Sequence, residues 1–331
     1  MKLIITIDTE EDNWGDFAAS RYTLANIERI PVLQELFDHF AVKPTYLITY
    51  PVATDERAAS LLRAISQAGR CEIGTHCHPW NTPPFQGRAD GRNSMLCNLP
   101  EDLQYAKMKF LHETIREQFG VTPLSFRSGR FGYNNAVAKN LRRLGYEIDT
   151  SITPYTDWST FHGPDFTHVS PRPFRFSSDN ALQECASGDL IEVPTTIGFL
   201  QRDFVRSNLI FKAVTRRPLN KLRLAGILNR LGLVNRAWLS PELSNSRTMI
   251  RLAQTMMRNG YRVLNMMFHS PSLQAGLTPF TRTKADEKQL FQHLREFLIF
   301  ARDAGIEPIR LSDFQKLPEN LLRHALITSS S

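Results

Sequence analysis

The residues best suited to chemistry in this chain are two histidines, His76 and His78, which are separated by one cysteine. They follow the segment 71–75, whose composition is typical of a strand that ends in a loop. Residues two apart in an extended chain point to the same face, so both imidazoles should lie on one side. Two neutral imidazole nitrogens suit a divalent metal ion at roughly 2.0–2.1 Å. The pair therefore predicts part of a metal site that needs a carboxylate from elsewhere.

Acidic residues follow the first apolar segment of the chain, residues 2–7. Asp8, Glu10 and Asp12 share one face if the backbone stays extended beyond this segment. A carboxylate there could bind the metal ion or act as a base. The alternative interpretation is an acidic loop that is simply solvated.

Two more apolar segments end in residues with useful chemistry. Arg127 and Arg130 lie at the end of a predicted strand over 124–128, and His269 ends the segment 262–269. The arginines could instead form a salt bridge or a solvated turn. The histidine could be a hydrogen-bonded core residue.

These residues need a scaffold that brings strand ends together, and the chain predicts one. Predicted strands cover 2–7, 44–50, 71–75, 124–128, 146–151, 190–195, 262–269 and 306–311, and predicted helices cover 23–40, 56–68, 99–119, 134–144, 244–259 and 286–303. Five of these helices are followed by a glycine, which accepts the left-handed conformation at a helix end. Alternating strands and helices predict an α/β fold, a distorted (β/α) barrel of seven to eight parallel strands. In such barrels the active site lies at the carboxyl ends of the strands.

The length of 331 residues fits a single barrel domain over 1–317 with a tail over 318–331. Insertions are expected at about 154–188, as a surface excursion, and at about 199–241. The net charge of +7 permits anionic partners without identifying one, and no nucleic acid partner is expected. No stretch approaches 18 apolar residues and the first apolar segment is too short for a signal peptide, so we expect a cytoplasmic protein.

The segment 202–240 is unusually basic, with nine Lys or Arg residues and one acid. From residue 221 to residue 233 its apolar positions recur at helical spacing: Leu224, Ile227, Leu228 and Leu231. One interpretation is a helix packed on the barrel with its charges in water. The other is a peripheral contact with anionic lipid or with a phosphate-bearing glycan, since each Lys or Arg near an anionic membrane contributes about 1 kcal/mol.

Taken in order, the motifs resemble those of the polysaccharide deacetylase family, carbohydrate esterase family 4. The similarity covers residues 1–312. Its elements are the acids after the first strand (6–10), the histidine pair in 72–78, the arginine turn in 126–130 and the histidine in 268–270. The order of these motifs is more specific than any one of them.

Two departures from the commonest family pattern change which residues would bind metal. Thr9 stands where the family usually has a second aspartate, so the carboxylate must come from Glu10 or Asp12, and the Asp-x-Glu spacing of some relatives favours Glu10. The usual four-residue spacing of the histidines falls on Trp80, so the second histidine ligand would be His78.

The resemblance implies a divalent metal ion, of which zinc is the expected example. The implied metal ligands are Glu10, His76 and His78. Asp8 would be the general base, and Arg127 or Arg130 would pair with it and fix its position. His269 would protonate the leaving amine or alcohol. Trp80 and Phe131 could stack on a sugar ring, or they could merely pack at the rim.

The function implied is a metal-dependent deacetylase that hydrolyses N-acetyl or O-acetyl groups of a sugar or glycan intermediate, with lipid-linked sugars among the candidates. The basic segment 202–240 would then allow membrane association. One alternative is an amidase acting on a non-sugar C–N bond. Another is a non-catalytic relative that binds glycan or membrane.

Overall fold

The computed structural model describes residues 1–12, 14, 15, 17, 22–215 and 224–317. The predicted tail over 318–331 lies outside the described residues. The strands are β1 Lys2–Thr9, β2 Thr45–Ile48, β3 Glu72–Cys77, β4 Ser125–Ser128, β5 Ile148–Asp149, β6 Phe174–Phe176, β7 Leu190–Glu192, β8 Ile197–Phe199, β9 Arg236–Trp238, β10 Val263–His269 and β11 Glu307–Pro308. The helices are α1 Ile30–His39, α2 Tyr50–Thr54, α3 Glu56–Gln67, α4 Glu101–Phe119, α5 Asn135–Leu144, α6 Phe204–Thr215, α7 Leu224–Arg230, α8 Ser246–Arg258 and α9 Lys284–Asp303.

The main sheet runs in the order β10-β1-β2-β3-β4-β5-β7-β6, and β11 pairs with the start of β1. Its parallel strands are β1 to β5, β7, β10 and β11, and within this sheet β6 pairs antiparallel with β7. Helices between successive strands cover this curled sheet. The predicted distorted (β/α) barrel is confirmed.

Side chains rather than a strand pair connect β7 to β10. Asn265 of β10 donates through Nδ2 to the carbonyl oxygen of Val193 (3.0 Å) and to Oγ1 of Thr150 (2.9 Å). The Asn265 backbone exchanges hydrogen bonds with Thr196, through the Thr196 hydroxyl at 2.7 Å and the Thr196 N–H at 2.9 Å. A buried asparagine therefore closes the side of the barrel where parallel pairing stops.

The glycines after the predicted helices behave as expected from their freedom at positive φ. Gly69, Gly120, Gly145, Gly260 and Gly305 have φ values of 68°, 66°, 81°, 78° and 66°. A residue with a Cβ would be strained there. These turns end each helix sharply and return the chain to the sheet.

The prediction that 154–188 is a surface excursion is wrong. Tyr155, Phe166, Phe174 and Phe176 are buried, and β6 within this segment pairs antiparallel with β7. The segment is rich in turns, so its short strand has little periodic signal, but its aromatic side chains extend the core.

The segment 199–241 contains the antiparallel pair β8–β9 and the helices α6 and α7. The apolar residues predicted at helical spacing, in α7 and just after it, lie in two different environments. Leu228 packs against the core, whereas Ile227 and Leu231 are 51% and 65% exposed. Among the described residues no helix is long and apolar enough to cross a membrane.

Candidate active site

The carboxyl ends of β1, β3, β4 and β10 meet at one end of the barrel, as the motif order predicts. The parallel register pairs Asp8 with His269 and pairs His76 with Arg127. Side chains from distant parts of the chain therefore become neighbours. The local strand geometry sets the direction of each side chain, and the order of strands in the sheet brings the side chains together.

Three of these side chains form a candidate metal centre. The donor atoms of Glu10, His76 and His78 all lie within 4.8 Å of one another, and all three residues are buried. Oε2 of Glu10 is 2.8 Å from Nε2 of His78 and 3.5 Å from Nε2 of His76. Ligand atoms about 2.1 Å from a tetrahedral ion are about 3.4 Å apart, so the cluster has the scale and donor chemistry of a site in which three protein residues bind a divalent metal ion.

Neighbouring groups orient these ligands. Nδ1 of His76 lies 3.1 Å from the carbonyl oxygen of Arg127. Because a carbonyl only accepts, Nδ1 carries a proton, and Nε2 is the nitrogen that faces the cluster. The backbone N–H of Glu10 donates to Oγ of Ser270 (3.1 Å), and Asn26 donates to its carbonyl (3.1 Å). These hydrogen bonds fix the orientation of the His76 ring and of the Glu10 backbone, so the site is preorganised.

His78 owes its position to a glycine on the neighbouring strand end. A Cβ placed on Gly129 would lie 2.3 Å from Nδ1 of His78 and 2.8 Å from the carbonyl oxygen of Cys77. Only glycine leaves room for the imidazole. Burial and the nearby His76 lower the pKa of His78 to about 4, so its ring is neutral and able to bind a metal ion.

Asp12, the other candidate carboxylate, does not face the cluster. Its carboxylate accepts hydrogen bonds from the backbone N–H of Thr23 (2.5 Å) and from the Thr23 hydroxyl. Of the two acids that the resemblance leaves open, Glu10, which it favours, is the one beside the histidines.

Asp8 lies next to the metal cluster and is held by Arg127. The guanidinium of Arg127 donates to Oδ1 of Asp8 at 2.5 Å, and it also donates to the hydroxyl of Thr6 and the carbonyl of Thr150. Oδ2 of Asp8 is 3.7 Å from Nε2 of both His76 and His269. Burial alone would raise the pKa of Asp8, but the charges of Arg127, His76 and His269 together outweigh it and the pKa is lowered. The carboxylate is therefore ionised, with one oxygen left for other partners.

The second predicted arginine does not contact Asp8. Arg130 directs its guanidinium to the carbonyl oxygen of Gly91 (3.2 Å) and to the Ser94 hydroxyl, and it lies over the ring of Phe17. Its backbone adopts a left-handed φ of 53°, which turns its side chain away from the strand direction. Of the two arginines offered as the partner of Asp8, Arg127 makes the contact, and Arg130 instead lines the cavity above the site.

His269 has a partner that the sequence did not reveal. Nδ1 of His269 lies 2.9 Å from Oε2 of Glu242, and its backbone N–H donates to Oε1 (3.1 Å). The hydroxyl of Ser272 donates to the same Oε1. Burial would lower the pKa of His269, but the charge and hydrogen bond of Glu242 raise it to about 10. Glu242 comes from the loop after β9, and no spacing pattern links it to His269.

A cavity of about 450 Å³ opens above these residues, and both Trp80 and Phe131 line it.

Trp80 lies on a loop that is anchored by a buried lysine. Nζ of Lys107 on α4 donates to the carbonyl oxygens of three loop residues, Pro79, Thr82 and Pro84, at 2.6–2.8 Å. Burial lowers the pKa of Lys107. A single cation thus satisfies three carbonyls and fixes the wall that carries Trp80.

No protein-family model and no curated protein matches the sequence. Solved structures do resemble it in fold. A protein from Mycobacterium smegmatis described as a polysaccharide deacetylase is 17% identical, with a TM-score of 0.54 over 96% of this chain and 92% of that chain. A protein from Parabacteroides distasonis described as a glycoside hydrolase/deacetylase is 11% identical, with a TM-score of 0.60 over 96% of this chain and 71% of that chain.

A 4-alpha-glucanotransferase from Thermococcus litoralis also resembles the chain in fold. It is 13% identical, with a TM-score of 0.52 over 96% of this chain and 40% of that chain. At these identities the likeness concerns the path of the backbone. The structural neighbours of this chain thus include polysaccharide deacetylases, with which it shares the distorted (β/α) barrel.

Proposed function

We propose that the protein is a metal-dependent deacetylase that removes an acetyl group from an amino or hydroxyl group of a sugar or glycan. One observation carries the proposal: the ionised Asp8 and the cationic His269 both lie beside the Glu10–His76–His78 cluster, 3.7 Å from each other. A base and an acid next to three metal ligands are the groups that hydrolysis of an acyl bond requires.

Glu10, His76 and His78 would hold the metal ion, for which we propose zinc. When bound, such an ion supplies Lewis-acid polarisation of an acyl carbonyl and lowers the pKa of water at the site. Three protein ligands leave a coordination position open for this chemistry.

The remaining steps belong to protein side chains. Asp8 accepts the proton of the attacking water through Oδ2, because Oδ1 is occupied by Arg127. His269 donates the proton on Nε2 to the leaving amine or alcohol, and Glu242 holds the opposite ring nitrogen in its protonated form. Arg127 is a positioning residue, since its four hydrogen bonds to Asp8, Thr6 and Thr150 leave it no freedom to move.

Purified protein is expected to bind about one divalent ion per chain, and His76→Ala should lose both the ion and the activity while staying folded. Elemental analysis, circular dichroism and acetate release from acetylated amino sugars measure these quantities. His39→Ala is the matched control, because His39 is exposed on α1. Failure of added Zn²⁺ or Co²⁺ to bind the wild-type protein would refute the metal centre.

The same assay separates the sugar deacetylase from an amidase with a non-sugar substrate. Acetylated amino sugars and simple N-acetyl amides of similar leaving-group pKa are compared at equal metal loading. A preference for the sugars is the expected result, whereas equal or better hydrolysis of the simple amides would favour the amidase.

A peripheral membrane contact forms the second part of the proposal. On α6, Val205 and Leu209 are 73% and 64% exposed, and Leu231 after α7 is 65% exposed. Arg206 and Arg230 are exposed on the same two helices. Exposed apolar side chains with basic neighbours are typical of surfaces that lie in a lipid interface. We refer to residues 202–215 and 224–233 together as the α6–α7 surface.

Co-sedimentation with vesicles tests this contact. Binding should require anionic lipid and should weaken as salt is raised from 0.05 to 0.5 M, because charge attraction is screened. Replacing both Leu209 and Leu231 by serine should reduce binding, whereas Val32→Ser on α1, a similarly exposed apolar position, should not. Wild-type protein that stays in the supernatant at low salt would refute the contact without affecting the deacetylase proposal.

A further inference from the structure

All four tryptophans of the chain line the cavity above the candidate active site. They are Trp14, Trp80, Trp158 and Trp238. Four phenylalanines join them: Phe17, Phe131, Phe161 and Phe280. These eight aromatic residues come from widely separated parts of the chain. Their convergence on one cavity is therefore a property of the tertiary structure rather than of one local motif.

The first wall of the cavity is a stack of aromatic rings. Phe131 stacks on Trp158 with ring centroids 5.5 Å apart, and it also contacts Trp238 at 6.4 Å. Phe161 extends the wall beyond Trp158 and is 53% exposed. The wall thus runs from the buried Phe131 to the protein surface.

The other two walls lie directly against the groups of the active site. Trp80 packs on the ring of the metal-ligand candidate His78, with centroids 4.0 Å apart. Trp14 places its ring edge-on to His269 at 4.9 Å, and Phe280 packs behind it. Whatever part of a substrate flanks the reacting bond will therefore contact aromatic surface on several sides.

Among the described residues that line this cavity, hydrogen-bonding side chains are few. Apart from the acids and histidines of the active site and the indole N–H groups of the tryptophans, they are Glu11 and Arg130. Glu11 already accepts from Thr49 (3.0 Å) and Asn81 (2.6 Å). Arg130 donates to Ser94 and to a backbone carbonyl. A site that selects a chain of sugars must offer partners to many hydroxyl groups, and hydroxyls buried without partners are costly.

We propose that the substrate is an amphiphile, in which an apolar group next to the acetylated sugar occupies the aromatic cavity. The inference rests on the proposed deacetylase function and specifies its substrate class. A volume of about 450 Å³ falls within the ~300–1,000 Å³ of pockets that enclose most of a small ligand. The apolar lining favours an alkyl or aryl group over further sugar units.

The α6–α7 surface, proposed above as the membrane contact, is linked to this cavity through β9. Trp238 is the last residue of β9, which pairs with β8, and α6 packs against that strand pair. The guanidinium of Arg236 on β9 lies 4.7 Å from the ring of Phe211 on α6. The β8–β9 pair thus contacts the helix that carries the exposed apolar side chains and also contributes Trp238 to the aromatic cavity. This continuity favours an alkyl chain of a lipid over a soluble aryl group.

The test compares three N-acetylglucosaminides that differ only in the group on the anomeric oxygen, methyl, phenyl or octyl, and adds the N-acetylglucosamine pentamer, with rates expressed per acetyl group. Each buried methylene contributes ~0.8 kcal/mol, or about fourfold in affinity, so three or four methylenes in the cavity predict ~60- to 200-fold higher kcat/KM for octyl than for methyl. The difference should appear mainly in KM, because the contact is the same in ground and transition states. A phenyl value above the octyl value would point to a soluble aryl substrate and overturn the lipid assignment.

The outcomes separate this inference from the proposed function. If the metal-loaded protein hydrolyses none of these compounds, the deacetylase proposal fails. If it prefers the pentamer, or hydrolyses all of them equally well, the deacetylase proposal is supported and the proposal of an amphiphilic substrate is overturned.

Variants of the cavity provide a second comparison. Trp158→Ala should lower kcat/KM for the octyl compound about tenfold more than for the methyl compound, and Trp158→Phe should retain most of the octyl preference. Phe110→Ala is the control, because Phe110 is exposed on α4 outside the cavity. An octyl preference that survives Trp158→Ala and Trp238→Ala would overturn the assignment of the cavity.

Binding can be observed without catalysis. Since all four tryptophans line the cavity, octyl glucoside below its micelle concentration should change the intrinsic tryptophan emission of the metal-free protein, and methyl glucoside should not. Trp158→Ala should weaken this response. An emission spectrum unchanged by octyl glucoside would overturn the inference even if the protein proves to be a deacetylase.

Discussion

The hydrogen bond between Glu242 and His269 can be tested by one conservative change, Glu242→Gln. Glutamine keeps an oxygen that can accept from Ser272 and from the His269 backbone, so the local packing should survive. Its amide nitrogen, however, is a donor and would face Nδ1 of the histidine, 2.9 Å away in the wild type. A donor there favours the neutral ring, whose Nδ1 can accept. The substitution therefore removes both main causes of the raised pKa.

The size of the effect follows from the pKa of His269. It is about 10 beside Glu242, against 6.5 for an unperturbed histidine. At pH 8 a fall from 10 to 6.5 would reduce the protonated fraction from nearly one to ~0.03, a ~30-fold loss of the acid, while at pH 6 the loss would be less than twofold. A divalent ion at Glu10 would lower the pKa of His269 by charge repulsion, while the hydrogen bond between Glu242 and His269 stays in place.

The assay is a profile of kcat/KM from pH 5 to pH 10.5 on one acetylated substrate. The alkaline limb should move down by at least one pH unit in Glu242→Gln, with activity at pH 6 largely retained. Glu35→Gln, at an exposed position on α1, is the control. An unchanged alkaline limb, or an equal loss at every pH, would refute the reasoning that Glu242 holds His269 in its protonated form.

The other predictions concern the base, a ligand and the pH dependence of stability. Asp8→Asn should keep the metal ion but lose ~10²–10⁴-fold in kcat, whereas loss of metal would make Asp8 a ligand instead. Gly129→Ala should weaken metal affinity by ~10–100-fold in a chelator competition, because its Cβ collides with His78, while Gly91→Ala, with no atom within 4 Å, should not. Because the pKa of His269 is higher in the folded chain, its stabilising contribution should be complete below pH 6.5 and decline toward pH 10, so thermal unfolding of wild type and Glu242→Gln should converge at high pH.

The amino-acid sequence by itself determined the alternation of strands and helices and the ends of five helices. Both are local properties: hydrophobic periodicity sets the element, and glycine accepts the turn that follows it. The sequence also placed Asp8, the histidine pair and His269 at strand ends. The direction of a side chain in a strand, or directly after one, depends only on the nearby backbone. These positions could therefore be predicted without knowing which residues they contact in the fold.

Only the tertiary structure decided which of these groups meet. Asp12 and Arg130 have the right chemistry in the right segments, yet loop conformation turns the first to Thr23 and the second to Ser94. Glu242 and the four tryptophans reach the site from loops and from the end of β9, far apart in the chain. The course of a loop depends on packing against the rest of the molecule, and no local period encodes it. For this protein, strand ends supply the reactive groups. The course of the loops decides which further residues contact these groups and which aromatic side chains enclose them.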